Sequence, residues 1–175
     1  MRRRILFILT LPLMLAGVIM AAAPAALAQS PHFVSAGGTV NTDGSLTVNF
    51  KEAGLGNNQL IHYAATANAS ATYVCVNKGG ANPSAGNKTT VSGPVSAEGT
   101  FNSGKNGNIT ASLTLTPPPP PPPPGFACPP GQKGPQLAQV SYTSVSLTDT
   151  TNNIAAPIAG TFSACVLPNV RGACD

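Results

Sequence analysis

The side chains that could carry acid–base chemistry are two histidines and five carboxylates. His32 lies near the start of the exported chain, where order is not expected. His62 alternates with apolar Ile61 and Tyr63, so it is expected to face outward from a strand. We interpret Lys51 and Glu52 as a neighbouring surface pair. The carboxylates are scattered along the chain, at Asp43, Glu52, Glu98, Asp149 and Asp175. Without a G-x-S-x-G motif or paired acids, we expect no catalytic residues and no enzyme.

The four cysteines are interpreted as two disulfides. No C-x-x-C pair is present and the histidines are not spaced as zinc partners, so we expect no metal site and no cofactor. Four cysteines allow three connectivities. Cys165 alternates with Phe162, Ala164 and Val166, which places it on the opposite face, within reach of a returning tail. We favour the pairings Cys75–Cys128 and Cys165–Cys174.

The first 28 residues predict a secretory signal helix. The cationic start "MRRR" precedes a long apolar run, and Ala26-Leu27-Ala28 supplies the small residues of a cleavage site. Prolines at positions 12 and 24 argue against the alternative, an uncleaved membrane anchor. We expect cleavage after Ala28, a secreted or cell-envelope-associated protein, and no stable membrane span afterwards.

Charge excludes two classes of partner. The chain carries a formal charge of +4, but three of its nine basic residues are the arginines of the predicted signal. The remaining six basic residues face five acidic ones, which leaves +1. No basic stripe with interleaved aromatic residues remains, so we expect neither nucleic-acid binding nor docking on anionic membranes.

Period-two alternation predicts an all-β protein. It is clearest in "SLTVNF", with Leu46, Val48 and Phe50 on one face, and in "NITASLTL". We expect two further strands joined around Asn68, and a β-bulge near Thr143-Ser144, where the alternation changes phase. Asp43-Gly44 and Asn106-Gly107 are typical of tight turns. Together these features predict an antiparallel β-sandwich of immunoglobulin-like architecture, formed as a single domain by residues 29–175.

The proline run Pro117 to Pro124 raises the question of a hinge between two domains. The 51 residues after it contain only about two long strands, too few to bury a core alone. A Cys75–Cys128 bond would also tie its far end back to the preceding strands. We therefore interpret the run as a rigid polyproline loop that projects from one domain.

Several stretches together resemble a family of small secreted bacterial β proteins of uncharacterised function. They are "NFKEAGLG", "YVCVNKGGANPSAGNKTTVSGPVS", "GTFNSGKNGNITASLTL", "FACPPGQ" and "VSYTSVSLTDTT". The resemblance implies a one-domain secreted β protein and carries no catalytic residues. The long proline run and the cysteine-bearing tail depart from that family's pattern.

The sequence therefore favours a secreted binding protein that recognises an unknown extracellular or cell-envelope ligand. Its candidate interaction surface is the polar loop Asn77 to Thr90, because loops fixed on a rigid scaffold commonly carry recognition. A structural, coat-type protein and a small hydrolase that uses His62 are the alternatives. The residues proposed to make the loop contacts are Asn77, Lys78, Asn82, Asn87 and Lys88.

Overall fold

A computed structural model describes residues 30–81 and 87–174. The predicted signal helix lies outside the described residues. The described chain forms strands and no helix. The strands are β1 (His32–Val40), β2 (Leu46–Ala53), β3 (Leu60–Val76), β4 (Lys88–Asn102), β5 (Ile109–Leu115), β6 (Lys133–Asp149), β7 (Ile154–Ile158) and β8 (Phe162–Cys165).

Two antiparallel sheets pack together, as expected of a β-sandwich. The first has the strand order β1-β2-β5. The second has the order β4-β3-β6-β7, and β8 also pairs with β6. β7 pairs with β6 from Val145 to Asp149, and β8 pairs with it from Gln139 to Tyr142, so the two short strands follow one another along β6.

The alternation seen in the sequence explains which face of β2 is buried. Leu46, Val48 and Phe50 all point into the space between the sheets and are at most 3 % exposed. Asn49 and Lys51 alternate with them and face solvent. The predicted inward face of this strand is therefore confirmed.

β3 is one continuous strand of 17 residues, so the expectation of two strands joined around Asn68 is wrong. The buried residues Tyr63, Ala65, Ala67, Ala69 and Ala71 keep one parity through the predicted break. Asn68 lies on the opposite, exposed face, where a polar side chain does not interrupt the ladder. The asparagine therefore marks an outward position and not a turn.

β4 is one of three strands, with β1 and β7, that the alternation did not predict. Its inward-facing positions include Gly93, Ala97 and Gly99, which carry little apolar surface. It runs at one end of the order of the five-stranded sheet, where Pro94 is tolerated because an edge strand needs fewer ladder hydrogen bonds. Pairing with β3 from Leu60 to Val74 gives β4 its register.

The predicted bulge in β6 is confirmed. Between the pairs Thr66–Ser146 and Asn68–Thr143, β6 advances one residue more than β3. Ser144 takes the left-handed conformation, with φ of 51°. The bulge lies between the parts of β6 that pair with β7 and β8, and it restores the inward orientation of Val145 and Leu147.

One buried cluster draws on both sheets. Tyr142 on β6 is fully buried, and its hydroxyl donates a 2.7 Å hydrogen bond to the Gly44 carbonyl in the turn between β1 and β2. Near the other end of the interior, the rings of Phe50 and Tyr63 approach with centroids 4.6 Å apart. Tyr63, Tyr73 and Tyr142 therefore all pack in the interior.

Candidate functional site

The predicted interaction loop is shorter than expected. Asn77 forms a turn in which its side-chain oxygen accepts a 3.0 Å hydrogen bond from the Ala81 amide. Lys78 is exposed and Asn82 lies outside the described residues. Asn87 is half-buried, and Lys88 opens β4 opposite Val74. The segment from Lys88 to Thr90 is thus strand and not loop, because its backbone completes the ladder with β3.

The broadest regular surface is the outward side of β4, β3 and β6, which we call the hydroxyl face. β3 and β6 have 17 residues each and β4 has 15, so these are the longest strands of the protein. Neighbouring strands bring their outward residues to about 4.8 Å from one another, and alternate residues repeat at about 6.8 Å along a strand. Its serine and threonine side chains are Thr66, Ser70, Thr72, Thr90, Ser92, Ser96, Thr100, Ser141, Thr143, Ser146 and Thr148.

Neighbouring hydroxyls on this face hydrogen-bond across strands. Thr72 and Thr90 are joined at 3.0 Å, and the Ser92 hydroxyl donates to that of Ser70 at 3.0 Å. These pairs hold the side chains in defined rotamers and leave remaining lone pairs directed outward. The face is therefore an ordered array of donors and acceptors.

A shallow depression of about 390 Å³ lies at the middle of the hydroxyl face. Asn68, Ser92 and Thr143 are its exposed polar lining. Ala69 and Gly93, which are paired inward-facing positions, also contribute to its lining. The depression therefore lies between outward polar side chains of all three strands.

The outward side of the three-stranded sheet carries another depression, of about 550 Å³. Gly37, Asn49, Lys51 and Ser112 contribute to its lining. It is larger than the depression at Gly93, but it lies on shorter strands of 7 to 9 residues and includes a lysine. The two outer faces therefore differ in strand length, and a lysine lines the depression only on the three-stranded sheet.

His62 faces outward, as the sequence predicted, and stands near one end of the hydroxyl face. Its Nδ1 lies 2.9 Å from the Thr100 hydroxyl, and its Nε2 lies 3.5 Å from a carboxylate oxygen of Glu98. A hydroxyl, an imidazole and a carboxylate in this order are the components of an acyl-transfer triad. The His62 and Glu98 side chains are 43 % and 65 % exposed, so water competes for both contacts. This constellation lacks the dry surroundings that strengthen such relays.

The interpretation of Lys51 and Glu52 as a surface pair is wrong for Glu52. Lys51 is exposed, but Glu52 is fully buried between the sheets, together with Tyr63 and Asp149. The alternation of β2 required this result, because Glu52 has the parity of Leu46, Val48 and Phe50. Extending that pattern by two residues would have found the buried carboxyl.

The surroundings of Glu52 disfavour its charged form. Burial raises the pKa of the Glu52 carboxyl, the nearby Tyr63 hydroxyl lowers it and the negative charge of Asp149 raises it, giving about 7. Neither Glu52 oxygen nor the Tyr63 hydroxyl has a partner with full hydrogen-bond geometry. Tyr63 is close enough to affect the carboxyl but is poorly oriented, and two ionised carboxylates cannot hydrogen-bond to each other. Burial also raises the pKa of Tyr63, so its hydroxyl keeps its proton.

Both favoured disulfides are present, between Cys75 and Cys128 and between Cys165 and Cys174. Cys75 is fully buried at the end of β3, beside Tyr73 and Phe126. Cys165 is exposed, as its parity predicted. Two such bonds fit an oxidising environment.

The proline run connects β5 to β6 and lies partly against the sandwich. The Tyr73 hydroxyl donates a 2.7 Å hydrogen bond to the Pro118 carbonyl. Pro117, Pro118, Pro120 and Pro121 are half-buried, whereas Pro119 is exposed. This three-residue repeat matches a polyproline helix that rests on the protein with one ridge outward. The expectation of a projecting loop is therefore wrong for the first half of the run.

No family model, curated protein or solved structure matches the chain. Among residues 30–81 and 87–174, no group of three or more histidine, cysteine or acidic side chains could hold a metal ion. Over the same residues, no helix is long and apolar enough to cross a bilayer.

Proposed function

We propose that this protein is an exported, non-catalytic binding module, and that the hydroxyl face is its recognition surface. The observation that carries the proposal is the composition of this face across three long, in-register strands. Serine and threonine dominate it, Glu98 is its one carboxylate among the described residues, and its lysines, Lys88 and Lys133, are confined to the first residues of β4 and β6 at one end. The recognition surface is thus the rigid sheet, and the loop at Asn77 and Lys78 adjoins its end.

The chemistry of the face selects a neutral ligand rich in hydroxyl groups. Strongly charged partners would find one carboxylate and lysines at one end only, and apolar partners would find a single large exposed hydrophobic side chain, Leu60, at the other end. A flat array of hydroxyls and amides can instead exchange hydrogen bonds with many hydroxyls of a polymer at once. Single contacts of this kind contribute little, so binding must come from repetition along an extended chain. We propose a neutral polysaccharide of the cell envelope or extracellular space.

The immunoglobulin-like architecture is part of the same proposal. The order β1-β2-β5 corresponds to strands A-B-E, and β4-β3-β6-β7 corresponds to C′-C-F-G. Export after cleavage at Ala28, and membership of the secreted family that the sequence resembles, complete the proposal. The two disulfides support export, because such bonds persist in oxidising compartments.

Retention on insoluble neutral polysaccharides tests this function. Ser92→Arg with Thr143→Arg places two long cations at the depression around Gly93, and we expect at least a tenfold loss of retention. The matched control is Asn49→Arg with Ser112→Arg on the opposite face, which we expect to be retained like the wild type. Thermal unfolding of both variants verifies that they fold.

Several results would contradict the proposal or favour one of its two alternatives. Equal losses in both double variants, or no retention on any neutral polysaccharide, would contradict recognition by the hydroxyl face. A mass that grows with concentration in sedimentation experiments would favour the coat-type alternative. Release of ester groups from a polysaccharide, lost in His62→Ala, would favour the hydrolase alternative, which the contacts of His62 with Thr100 and Glu98 support.

A further inference from the structure

The buried carboxyl of Glu52 joins the two sheets. Glu52 belongs to β2 in the three-stranded sheet, whereas Tyr63 and Asp149 are directly opposed partners on β3 and β6 of the other sheet. All three side chains have no exposed surface. A buried acid with two oxygens that lack partners is costly unless a proton or a neighbour compensates it.

Asp149 is the partner that holds a fixed position. One of its oxygens accepts hydrogen bonds from the Thr151 and Asn152 amides, at 2.8 and 2.9 Å. The other accepts a 2.6 Å bond from the Asn152 side-chain amide. These donors stabilise a carboxylate and anchor it to the turn between β6 and β7. Glu52 has no comparable donors, so a proton shared by the pair belongs on Glu52.

No described cation faces this pair from the elements around it. His32 on β1 is exposed, its Nδ1 donates a hydrogen bond to the Ser30 carbonyl, and it is the weakest of the influences on the pKa of Glu52. Lys51 on β2 points to the opposite face. β5 and β7 contain no titratable residue, and His62 and Glu98 on β3 and β4 lie on the hydroxyl face.

We propose that Glu52 and Asp149 form an acid-closed latch, in which protonated Glu52 donates its proton to the Asp149 carboxylate and so holds the two sheets together at this end. When the pH rises, Glu52 releases the proton to water and two negative charges face each other in the interior. Repulsion and the cost of burying a second charge then loosen the end of the sandwich at which β2, β3 and β6 meet. The latch is independent of the hydroxyl face and adds a pH response to the protein.

The direction of the effect follows from the raised pKa. A carboxyl with an ordinary pKa of 4.5 in the unfolded chain and about 7 in the folded protein binds its proton more tightly when folded. The stability from this proton is fully present below pH 4.5 and is lost as the pH rises through 7. The two values correspond to a rise of about 300-fold in the unfolding equilibrium constant across this window.

Denaturant unfolding between pH 4 and 8 tests the latch. We expect the wild type to show this rise, and Glu52→Gln to lack it. Glu98→Gln is the matched control, since Glu98 is an exposed acid on the outer face, and we expect it to follow the wild type. Glu98→Gln also removes the carboxylate beside His62, whereas Glu52→Gln leaves that contact intact, so the comparison of the wild type with Glu52→Gln isolates Glu52.

Titration of the Glu52 carboxyl carbon by NMR in the wild type provides a test that needs no variant. We expect a midpoint near 7. A midpoint near 4.5, or an unchanged pH dependence of unfolding in a folded Glu52→Gln variant, would overturn the proposal.

Discussion

Tyr63 and Tyr73 lie on the same face of β3, and both are buried, yet their hydroxyls have opposite surroundings. The Tyr73 hydroxyl donates to the Pro118 carbonyl and lies near the Cys75–Cys128 bond. The Tyr63 hydroxyl lacks a properly oriented partner and faces the buried Glu52. The Tyr73 end of the strand is held by a covalent bond, whereas the Tyr63 end depends on a proton.

This difference teaches that a thin interior can be held together in two ways. A disulfide acts at every pH and limits the unfolded chain, so the Tyr73 end should be insensitive to acidity. A buried acid pair depends on its protonation state, so the Tyr63 end should respond. β3 therefore has one end that a disulfide holds at every pH and another end whose stability depends on the protonation of Glu52.

Removing the Cys75–Cys128 bond should have the largest effect on stability. The two cysteines are 53 residues apart, so the bond closes a long loop, and Cys75→Ala with Cys128→Ala should cost about 4 kcal/mol of unfolding free energy. The control is Cys165→Ala with Cys174→Ala, which opens a loop of 9 residues and should cost about 2.5 kcal/mol. Denaturant unfolding at pH 5 measures both. A larger loss of unfolding free energy in the control would show that the Cys75–Cys128 bond is not the stronger of the two covalent supports.

Deleting each tyrosine hydroxyl sharpens the comparison at a smaller scale. Tyr73→Phe leaves the Pro118 carbonyl without its donor and should lower the free energy of unfolding by about 1 to 2 kcal/mol. Tyr63→Phe removes a hydroxyl that has no full hydrogen bond, so at pH 5 it should change stability by less than about 0.5 kcal/mol. Denaturant unfolding at pH 5 compares the two. Equal losses would show that the two hydroxyls have equivalent partners.

Tyr63→Phe should also move the pH window. Because the Tyr63 hydroxyl lowers the pKa of Glu52, its removal should raise that pKa above about 7. The midpoint of the pH-dependent loss of stability should therefore shift upward. A downward shift would show that the hydroxyl does not stabilise the Glu52 carboxylate.

Much of the fold could be predicted from local pattern. The inward face of β2, the bulge near Ser144 and the outward position of Cys165 all follow from side-chain parity, because strand geometry fixes the face of each residue. β4 was harder to predict, because Gly93, Ala97 and Gly99 interrupt the alternation formed by Val91, Val95 and Phe101. The expected junction of two strands around Asn68 is absent, and the parity of Ala67 and Ala69 already indicates one continuous strand.

The candidate sites were less accessible to sequence reasoning. Glu52 was assigned to the surface because charged residues are rarely buried, although its parity placed it inside. Its pairing with Asp149 depends on how two sheets stack, which no local pattern specifies. The hydroxyl face likewise required the register of three strands, two of which are adjacent only in space. Local signals thus predicted strands, and tertiary packing determined which side chains meet.

Amide hydrogen exchange measured residue by residue at pH 5 and pH 8 tests the central claim most directly. After correction for intrinsic exchange rates, protection of the amides around Glu52, Tyr63 and Asp149 should fall markedly at pH 8. Protection around Tyr73 and Cys75 should stay the same, because the disulfide there does not titrate. Equal loss of protection at both ends of β3, or none at the Glu52 end, would contradict the account.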